Sequence, residues 1–108
     1  MAQFIFSEWL VKFIAEKNFQ FEWDTGNRVK SFYKHGIDYL EAEDAFNDPA
    51  LIELGIQISP IVNEDRFGII AQTNKGKLLF VAFTIREGQI RIISARHANS
   101  KERELYEG

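Results

Sequence analysis

The chain has 108 residues, 45% of them hydrophobic and 27% charged, which is the composition of an ordinary globular domain with one modest core. It contains no cysteine, which excludes disulfides and cysteine-based metal sites, and its net charge of −3 argues against general binding to polyanions. No apolar stretch is long enough for a membrane helix, and no basic residue precedes the first apolar run as in a signal peptide. We therefore expect a cytoplasmic protein.

The N-terminal segment predicts a helix followed by a short strand. Ser7 is placed to cap a helix from Glu8 to about Asn18. Apolar residues recur along it at helical spacing, namely Trp9, Leu10, Phe13 and Ile14. This stripe either adds to the core, which we favour, or makes a contact with another chain. The alternation from Phe19 to Trp23 then predicts a strand.

Two more helices are predicted before the middle of the chain. The first runs from about Asn27 to His35 and ends at Gly36, which suits a left-handed C-terminal position. Asp38 with Glu41 forms a capping box that begins the second, and Asp48-Pro49 ends it. The inner side of this second helix is expected to carry Leu40, Ala42, Ala45 and Phe46.

The second half of the chain predicts an antiparallel sheet. Four strands are expected, at residues 50–58, 66–73, 77–86 and 89–96. The turns Asn74-Lys75-Gly76 and Glu87-Gly88 join the last three, and the strand 77–86 is apolar on both faces, as in an interior strand. Asn99 and Glu102 form a second capping box for a C-terminal helix. The fold class is α+β, with helices packed on an antiparallel sheet of about four to five strands.

Basic side chains are concentrated in the C-terminal half. Between Arg66 and Arg103 there are only two acidic residues, Glu87 and Glu102, against eight basic ones, which are Arg66, Lys75, Lys77, Arg86, Arg91, Arg96, Lys101 and Arg103. A local field of this kind can bind phosphate although the whole molecule is acidic. The alternative is that these residues are the solvated faces of the sheet.

A series of short motifs, in order, resembles one known family. The motifs are Phe21-Glu22-Trp23-Asp24, Lys34-His35-Gly36-Ile37, Glu41-Ala42 with Ala45-Phe46, Asp48-Pro49, Glu64-Asp65-Arg66, Gly76-Lys77-Leu78-Leu79, Thr84, Arg86, Arg91 to Arg96, Ala98, Glu102-Arg103 and Tyr106-Glu107. From residue 20 to residue 108 the chain looks like the BrnT family, the RelE-like ribonuclease toxins of bacterial toxin–antitoxin pairs. Residues 1–19 are then an N-terminal helical extension.

The resemblance implies a metal-independent endoribonuclease that cuts RNA, inhibits translation and is neutralised by a cognate, BrnA-like antitoxin. It implies contact with operator DNA only through the antitoxin, no cofactor and no membrane, and it leaves a homodimer possible. Asn27 and Ser31 stand where the family usually has Lys and Asn. The alternative is therefore a catalytically weak or inactive module for antitoxin pairing and transcriptional autoregulation.

The candidate catalytic residues follow from what metal-free RNA cleavage needs. The substrate's own 2′-hydroxyl attacks the phosphorus, so the protein must move protons and stabilise charge on the phosphate. The planar, permanently charged guanidinium suits the phosphate role, which favours Arg66 and Arg96 first and Arg86 next.

Four further residues are candidates with structural alternatives. Glu64 is either a base or an ion-pair partner of Arg66. Lys34 and His35 either reach the phosphate or stand where a helix C-terminus favours positive charge. Tyr106 either stacks a base or donates a proton, or it packs in the core. His35 and His97, without cysteine, give no metal-ligand spacing.

The last hairpin limits which arginines can act together. If Glu87-Gly88 is a two-residue loop, Thr84, Arg86 and Arg91 share one sheet face, whereas Ser94 and Arg96 project from the other. A β-bulge would be needed to bring Arg96 to the same side. The alternative is that Arg86 and Arg91 form a solvated cross-strand pair with Glu87.

Overall fold

The computed structural model describes residues 3–22 and 36–108. Its strands are β1 (Gln3–Ile5), β2 (Ile52–Ser59), β3 (Phe67–Gln72), β4 (Leu78–Arg86) and β5 (Gln89–His97). Its helices are α1 (Glu8–Glu16), α2 (Tyr39–Ala45) and α3 (Ser100–Glu107). The helix expected at residues 27–35 lies outside the described residues. No helix in the described ranges combines the length and apolar character needed to cross a membrane.

The five strands form one antiparallel sheet in the order β1-β2-β3-β4-β5. This confirms the α+β class and places the apolar β4 inside the sheet, as expected. The sequence did not predict β1, which pairs with the edge of β2. Gly55 makes this pairing possible, because a Cβ there would overlap the carbonyl oxygen of Ile5 and because its φ is +107°.

Helix α1 begins where the sequence predicts. The Ser7 hydroxyl accepts a hydrogen bond of 3.2 Å from the Leu10 backbone N–H, and Leu10 and Ile14 are buried in the core. The helix ends at Glu16 rather than Asn18, because Lys17 adopts a left-handed conformation with φ 54°. The apolar stripe of this helix therefore packs largely within the same chain.

Helix α2 has the predicted capping box between Asp38 and Glu41, and Gly36 before it has the expected positive φ of +68°. Its inner face was predicted in part wrongly, since Leu40 is 58% exposed whereas Ala42 and Ala45 are buried. The reason is helical periodicity. Leu40 lies two residues before Ala42, which is more than half a turn around the helix axis.

The strand predicted from Phe19 to Trp23 is wrong for its described part. Phe21 forms only an isolated parallel bridge with Ile90 at the edge of β5, and Trp23 lies outside the described residues. Two backbone hydrogen bonds make this bridge, from Ile90 N–H to the Gln20 carbonyl (2.7 Å) and from Glu22 N–H to the Ile90 carbonyl (2.8 Å).

The sheet has an inner and an outer face, and α1 and α2 cover the inner one. The buried inner-face side chains are Phe67, Ile69, Ala71, Leu79, Val81, Phe83, Ile90, Ile92 and Ala95. Phe46, next to α2, packs edge to face on Phe83 with ring centroids 5.1 Å apart. The outer face carries the alternate residues of the same strands, and α3 packs against it on β3.

Two carboxylates hold the ends of these layers together. Asp44 of α2 accepts hydrogen bonds from the backbone and side chain of Asn74, at 2.7 and 3.1 Å, and so fixes the β3–β4 turn. Asp48 accepts from the Gln72 backbone N–H at 2.8 Å and from the Tyr106 hydroxyl at 2.7 Å. The Asp48-Pro49 segment therefore anchors α3 as well as following α2.

Candidate nucleic-acid interface and active site

A β-bulge decides which arginines share a face. In β4 and β5 the register runs Thr84↔Arg91 and Phe83↔Ile92 but then Ala82↔Ser94, which leaves Ile93 as an extra residue. The extra residue restores Ser94 and Arg96 to the outer face, opposite Ala82 and Phe80. Regular pairing after the turn, which would project them from the other face, is therefore wrong for this hairpin, and the β-bulge needed to bring Arg96 to the same side is present.

Helix α3 covers one end of the outer face and leaves the other end open. Leu105 of α3 lies over a cleft with Phe4 and Phe80, and the outer-face residues Ile70 and Leu78 are buried. The uncovered end is where β3 begins and β4 ends. Arg66 and Arg86 lie there.

These two arginines line one open groove of about 610 Å³, which we call the arginine groove. Its other lining residues come from the connection between β2 and β3, namely Ile61, Val62, Asn63 and Glu64. The Thr84 hydroxyl donates to the Asp65 carbonyl at 2.7 Å and so holds the start of β3 against the end of β4. The sequence singled out Glu64, Arg66 and Arg86 and missed the other lining residues. Their only signal was that they precede Arg66 in the same connection.

Within the groove the two guanidinium groups differ in their hydrogen-bond partners. Arg86 donates to Glu64 Oε2 from Nε at 3.3 Å and from Nη2 at 3.1 Å, and both side chains remain well exposed. Arg66 Nε is buried and has no hydrogen-bond partner among the described residues. Arg66 therefore has no internal acceptor at this nitrogen, and its permanently charged guanidinium suits an anion that enters the groove.

Two ion-pair arrangements considered from the sequence, Glu64 with Arg66 and Glu87 with Arg86 and Arg91, do not form. Glu64 pairs with Arg86 rather than with Arg66. Arg91, on the same face opposite Thr84, pairs with Glu22 at 3.2 Å, so the cross-strand pair of Arg86 and Arg91 with Glu87 is not what forms. Glu87 instead occupies the turn with φ 51°.

Arg96 is on the outer face but is bound by α3. Its Nη1 and Nη2 donate to the two carboxylate oxygens of Glu102 at 2.7 and 2.8 Å, and its guanidinium lies 4.4 Å from the Phe80 ring centroid. Burial alone would raise the pKa of Glu102. The hydrogen bonds from Arg96 and the Asn99 backbone N–H and the charge of Arg96 outweigh burial and hold that pKa below its usual range. Arg96 therefore fastens α3 to the sheet.

Tyr106 lies at the far end of α3, away from the arginine groove. Its hydrogen bond to Asp48 stabilises the neutral phenol and, with burial and the Asp48 charge, raises the pKa of Tyr106 to about 12. A phenol held in this way keeps its proton at neutral pH.

The remaining candidates are not brought to the site by described residues. Lys34 and His35 lie outside the described ranges, and His97 is exposed at the end of β5. Within residues 3–22 and 36–108, no three His, Asp or Glu side chains are grouped so that they could hold a metal ion.

Comparison with known proteins indicates the family of this chain. A family model described as the ribonuclease toxin, BrnT, of type II toxin–antitoxin systems matches residues 23–102. The fold is similar to that of the Brucella abortus ribonuclease toxin BrnT in its 1.1 Å crystal structure. The TM-score is 0.55 at 21% sequence identity, over 77% of this chain and 100% of that chain. No curated protein matches significantly.

The structural likeness by itself shows a shared fold, whereas the family model covers well over half of the chain, including Glu64, Arg66, Arg86 and Arg96. The chain therefore belongs to the BrnT family, the ribonuclease toxins of type II toxin–antitoxin systems.

Proposed function

We propose that this chain is itself an active, metal-independent endoribonuclease that inhibits translation by cutting RNA in the arginine groove. One observation carries the proposal: Arg66 and Arg86 line the same groove at the uncovered end of the outer face, and Arg66 Nε is buried without a partner among the described residues. Two guanidinium groups in one groove suit a phosphate, whose oxygens accept hydrogen bonds in pairs.

The proposed reaction uses the substrate's own 2′-hydroxyl. A base takes its proton, the 2′-oxygen bonds to phosphorus, and the bond from phosphorus to the 5′-oxygen breaks as that oxygen gains a proton. The products are a 2′,3′-cyclic phosphate and a 5′-hydroxyl end. Arg66 and Arg86 would stabilise the additional negative charge on the phosphate oxygens during this exchange.

Among the described residues that line the arginine groove, Glu64 is the one with a carboxylate. Because Arg86 holds Oε2, the carboxylate is fixed in the groove. In that position Glu64 would act as the base or would orient Arg86. Lys34 and His35 remain candidates for protonating the leaving oxygen. We assign Arg96 and Tyr106 the supporting role of holding α3 against the sheet.

The test is cleavage of RNA by purified, antitoxin-free protein. We expect Arg66→Ala and Arg86→Ala each to lower kcat/KM by about 10²–10³-fold, the usual effect of removing one donor that stabilises transition-state charge. Arg103→Ala is the matched control, because Arg103 is exposed on α3, pairs only loosely with Glu107 (3.9 Å) and lines neither the arginine groove nor the cleft between α3 and Phe80. Full activity of both groove variants would contradict the assignment.

Two further experiments test whether cleavage is independent of metal and whether the protein acts as a toxin. Cleavage should persist in excess EDTA and leave cyclic phosphate ends. Induced expression should arrest growth and protein synthesis, and co-expression of the cognate antitoxin should relieve both. If folded wild-type protein left RNA intact, it would instead be a binding module for antitoxin pairing and autoregulation.

A further inference from the structure

A second groove lies at the same ends of β3 and β4 as the arginine groove, but on the opposite face of the sheet. Trp9 of α1 lines this open groove of about 430 Å³, which we call the tryptophan groove, together with Asp65, Phe67, Ile85, Glu87 and Gly88. The indole stacks with Phe13 and Phe67 at centroid distances of 5.5 Å each, and yet Trp9 remains 53% exposed. The Trp9 ring is thus packed against two other rings while much of its surface remains open.

The backbone at the start of β3 and at the end of β4 separates the two grooves and forms a rim that both share. Glu64 and Arg66 line the arginine groove, and Asp65 and Phe67 line the tryptophan groove. At the end of β4 the same alternation separates Arg86 from Ile85 and Glu87. Successive residues of an extended strand point to opposite faces, so one thickness of backbone separates the two grooves.

We propose that Trp9 is a stacking platform for an unpaired base of the RNA whose phosphate is bound in the arginine groove. The proposal rests on the proposed ribonuclease function and adds a base-binding subsite to it. A single strand crossing the shared rim would keep its phosphate against Arg66 and Arg86 and place a neighbouring base on the indole. Proteins that bind single-stranded RNA commonly hold splayed bases on aromatic rings in this way.

The charges of the tryptophan groove favour a base over a phosphate. Asp65 and Glu87 are both exposed at its rim, and their carboxylates repel the RNA backbone but accept hydrogen bonds from base N–H groups. Guanine presents two adjacent N–H donors on its Watson–Crick edge, whereas uracil presents one N–H between two carbonyl acceptors. The subsite should therefore prefer guanine over uracil.

Trp9 precedes the segment matched by the family model, which begins at residue 23. The subsite is accordingly built by joining the N-terminal helix of this chain to two strand ends inside the matched segment. Its effect should be on substrate binding and base preference, because Trp9 lies on the other side of the rim from the reacting phosphate.

The experiment compares short oligoribonucleotides that differ by one guanine or uracil next to the cleaved bond. Trp9→Leu should raise KM for the guanine substrate by about 5- to 100-fold with a much smaller effect on kcat, as expected for loss of one stacked base. Trp9→Phe should retain most of the binding, and the double variant Asp65→Asn with Glu87→Gln should reduce the preference for guanine. Phe6→Leu is the control, since Phe6 is an exposed aromatic residue (76%) of the same segment and lines neither groove.

The outcomes separate this proposal from the one on which it rests. If wild-type protein cleaves RNA and the groove arginines matter, but Trp9→Leu and Phe6→Leu both behave like wild type, the platform is refuted and the ribonuclease assignment stands. If Trp9→Leu proves less stable by thermal unfolding, Trp9→Phe decides, because quenching of tryptophan fluorescence by a non-cleavable 2′-O-methyl RNA should lose its Trp9 component. Unchanged quenching in that variant would also overturn the proposal.

Discussion

Single side chains on the outer face divide into those that are free to meet a ligand and those that hold the fold. Arg96 and Tyr106 are both engaged by carboxylates, Glu102 and Asp48, at 2.7–2.8 Å. Arg66 and Arg86 line an open groove, and Arg86 has an exposed carboxylate as its partner. Residue type alone does not separate these roles, because the same guanidinium group serves both.

The role of Tyr106 can be tested with one hydroxyl. Tyr106→Phe should lower the free energy of unfolding by about 1 kcal/mol, the usual net contribution of such a hydrogen bond, and leave RNA cleavage near the wild-type level. Because the fold raises the pKa of Tyr106 from 10.0 to about 12, this contribution is fully present below pH 10 and is lost as the pH rises toward 12. Urea unfolding of both proteins at pH 8 and above pH 10 should show the difference shrinking. A loss of kcat of about 100-fold or more at unchanged stability would instead make Tyr106 a catalytic residue.

At the scale of elements, the N-terminal segment contributes to both the sheet and the core. Strand β1 pairs with β2, and α1 buries Leu10 completely and Ile14 to 9% exposure. Phe4 of β1 also packs edge to face on Phe80, with ring centroids 6.0 Å apart, and so covers part of the outer face. Leu10 and Ile14 lie outside the segment that matches the family model and yet belong to the same core as the buried residues within it.

We therefore expect a core substitution in α1 to destabilise the entire domain. Leu10→Ala should lower the free energy of unfolding by about 2–5 kcal/mol, as for other buried leucines. Lys12→Ala, in the same helix but with its side chain 75% exposed, should change it by less than about 0.5 kcal/mol. Chemical denaturation of both variants measures this. A small effect of Leu10→Ala would contradict the core role that the sequence favours for the apolar stripe of this N-terminal extension.

At the scale of the whole molecule, a net charge of −3 gives little long-range attraction for RNA. Affinity must then come from a few local contacts. Arg91 and Arg96 are less exposed and are paired with Glu22 and Glu102. Arg86 is paired with Glu64 but is 48% exposed, and Arg66 Nε has no partner among the described residues, so the arginine groove is the principal described place for phosphate.

The salt dependence of RNA binding should reflect this small number of contacts. If the two arginines together neutralise one phosphate, the slope of log K against log salt concentration should be about −0.7, and replacing both arginines by alanine should bring the slope close to zero. Binding of a non-cleavable oligoribonucleotide at several salt concentrations measures the slope. A slope steeper than about −4 would show that a broad basic surface, including lysines such as Lys75 and Lys101, contributes instead.

The sequence by itself determined the features that depend on residues close together in the chain. The caps at Ser7, Asp38 and Asn99, the two-residue turn at Glu87-Gly88 and the apolar β4 are all recognisable because each depends on residues a few positions apart. The order of the motifs likewise indicates the family, because each motif can be read from the chain alone. It also singled out Arg66, Arg86 and Glu64, because the chemistry of the reaction calls for those residue types.

Tertiary structure alone decided which of these side chains meet. The bulge at Ile93 reverses the facing of Arg96, the Glu102 carboxylate neutralises it, and β1 joins a sheet that the sequence ended at β2. Trp9 comes next to the strand ends only because α1 packs on the inner face. The docked helix and the added strand depend on partners distant in sequence. The bulge and the Arg96–Glu102 pair join residues that are nearer in the chain, but they exist only once β4, β5 and α3 are packed together, and their net energies are differences of about 1 kcal/mol that no local pattern records.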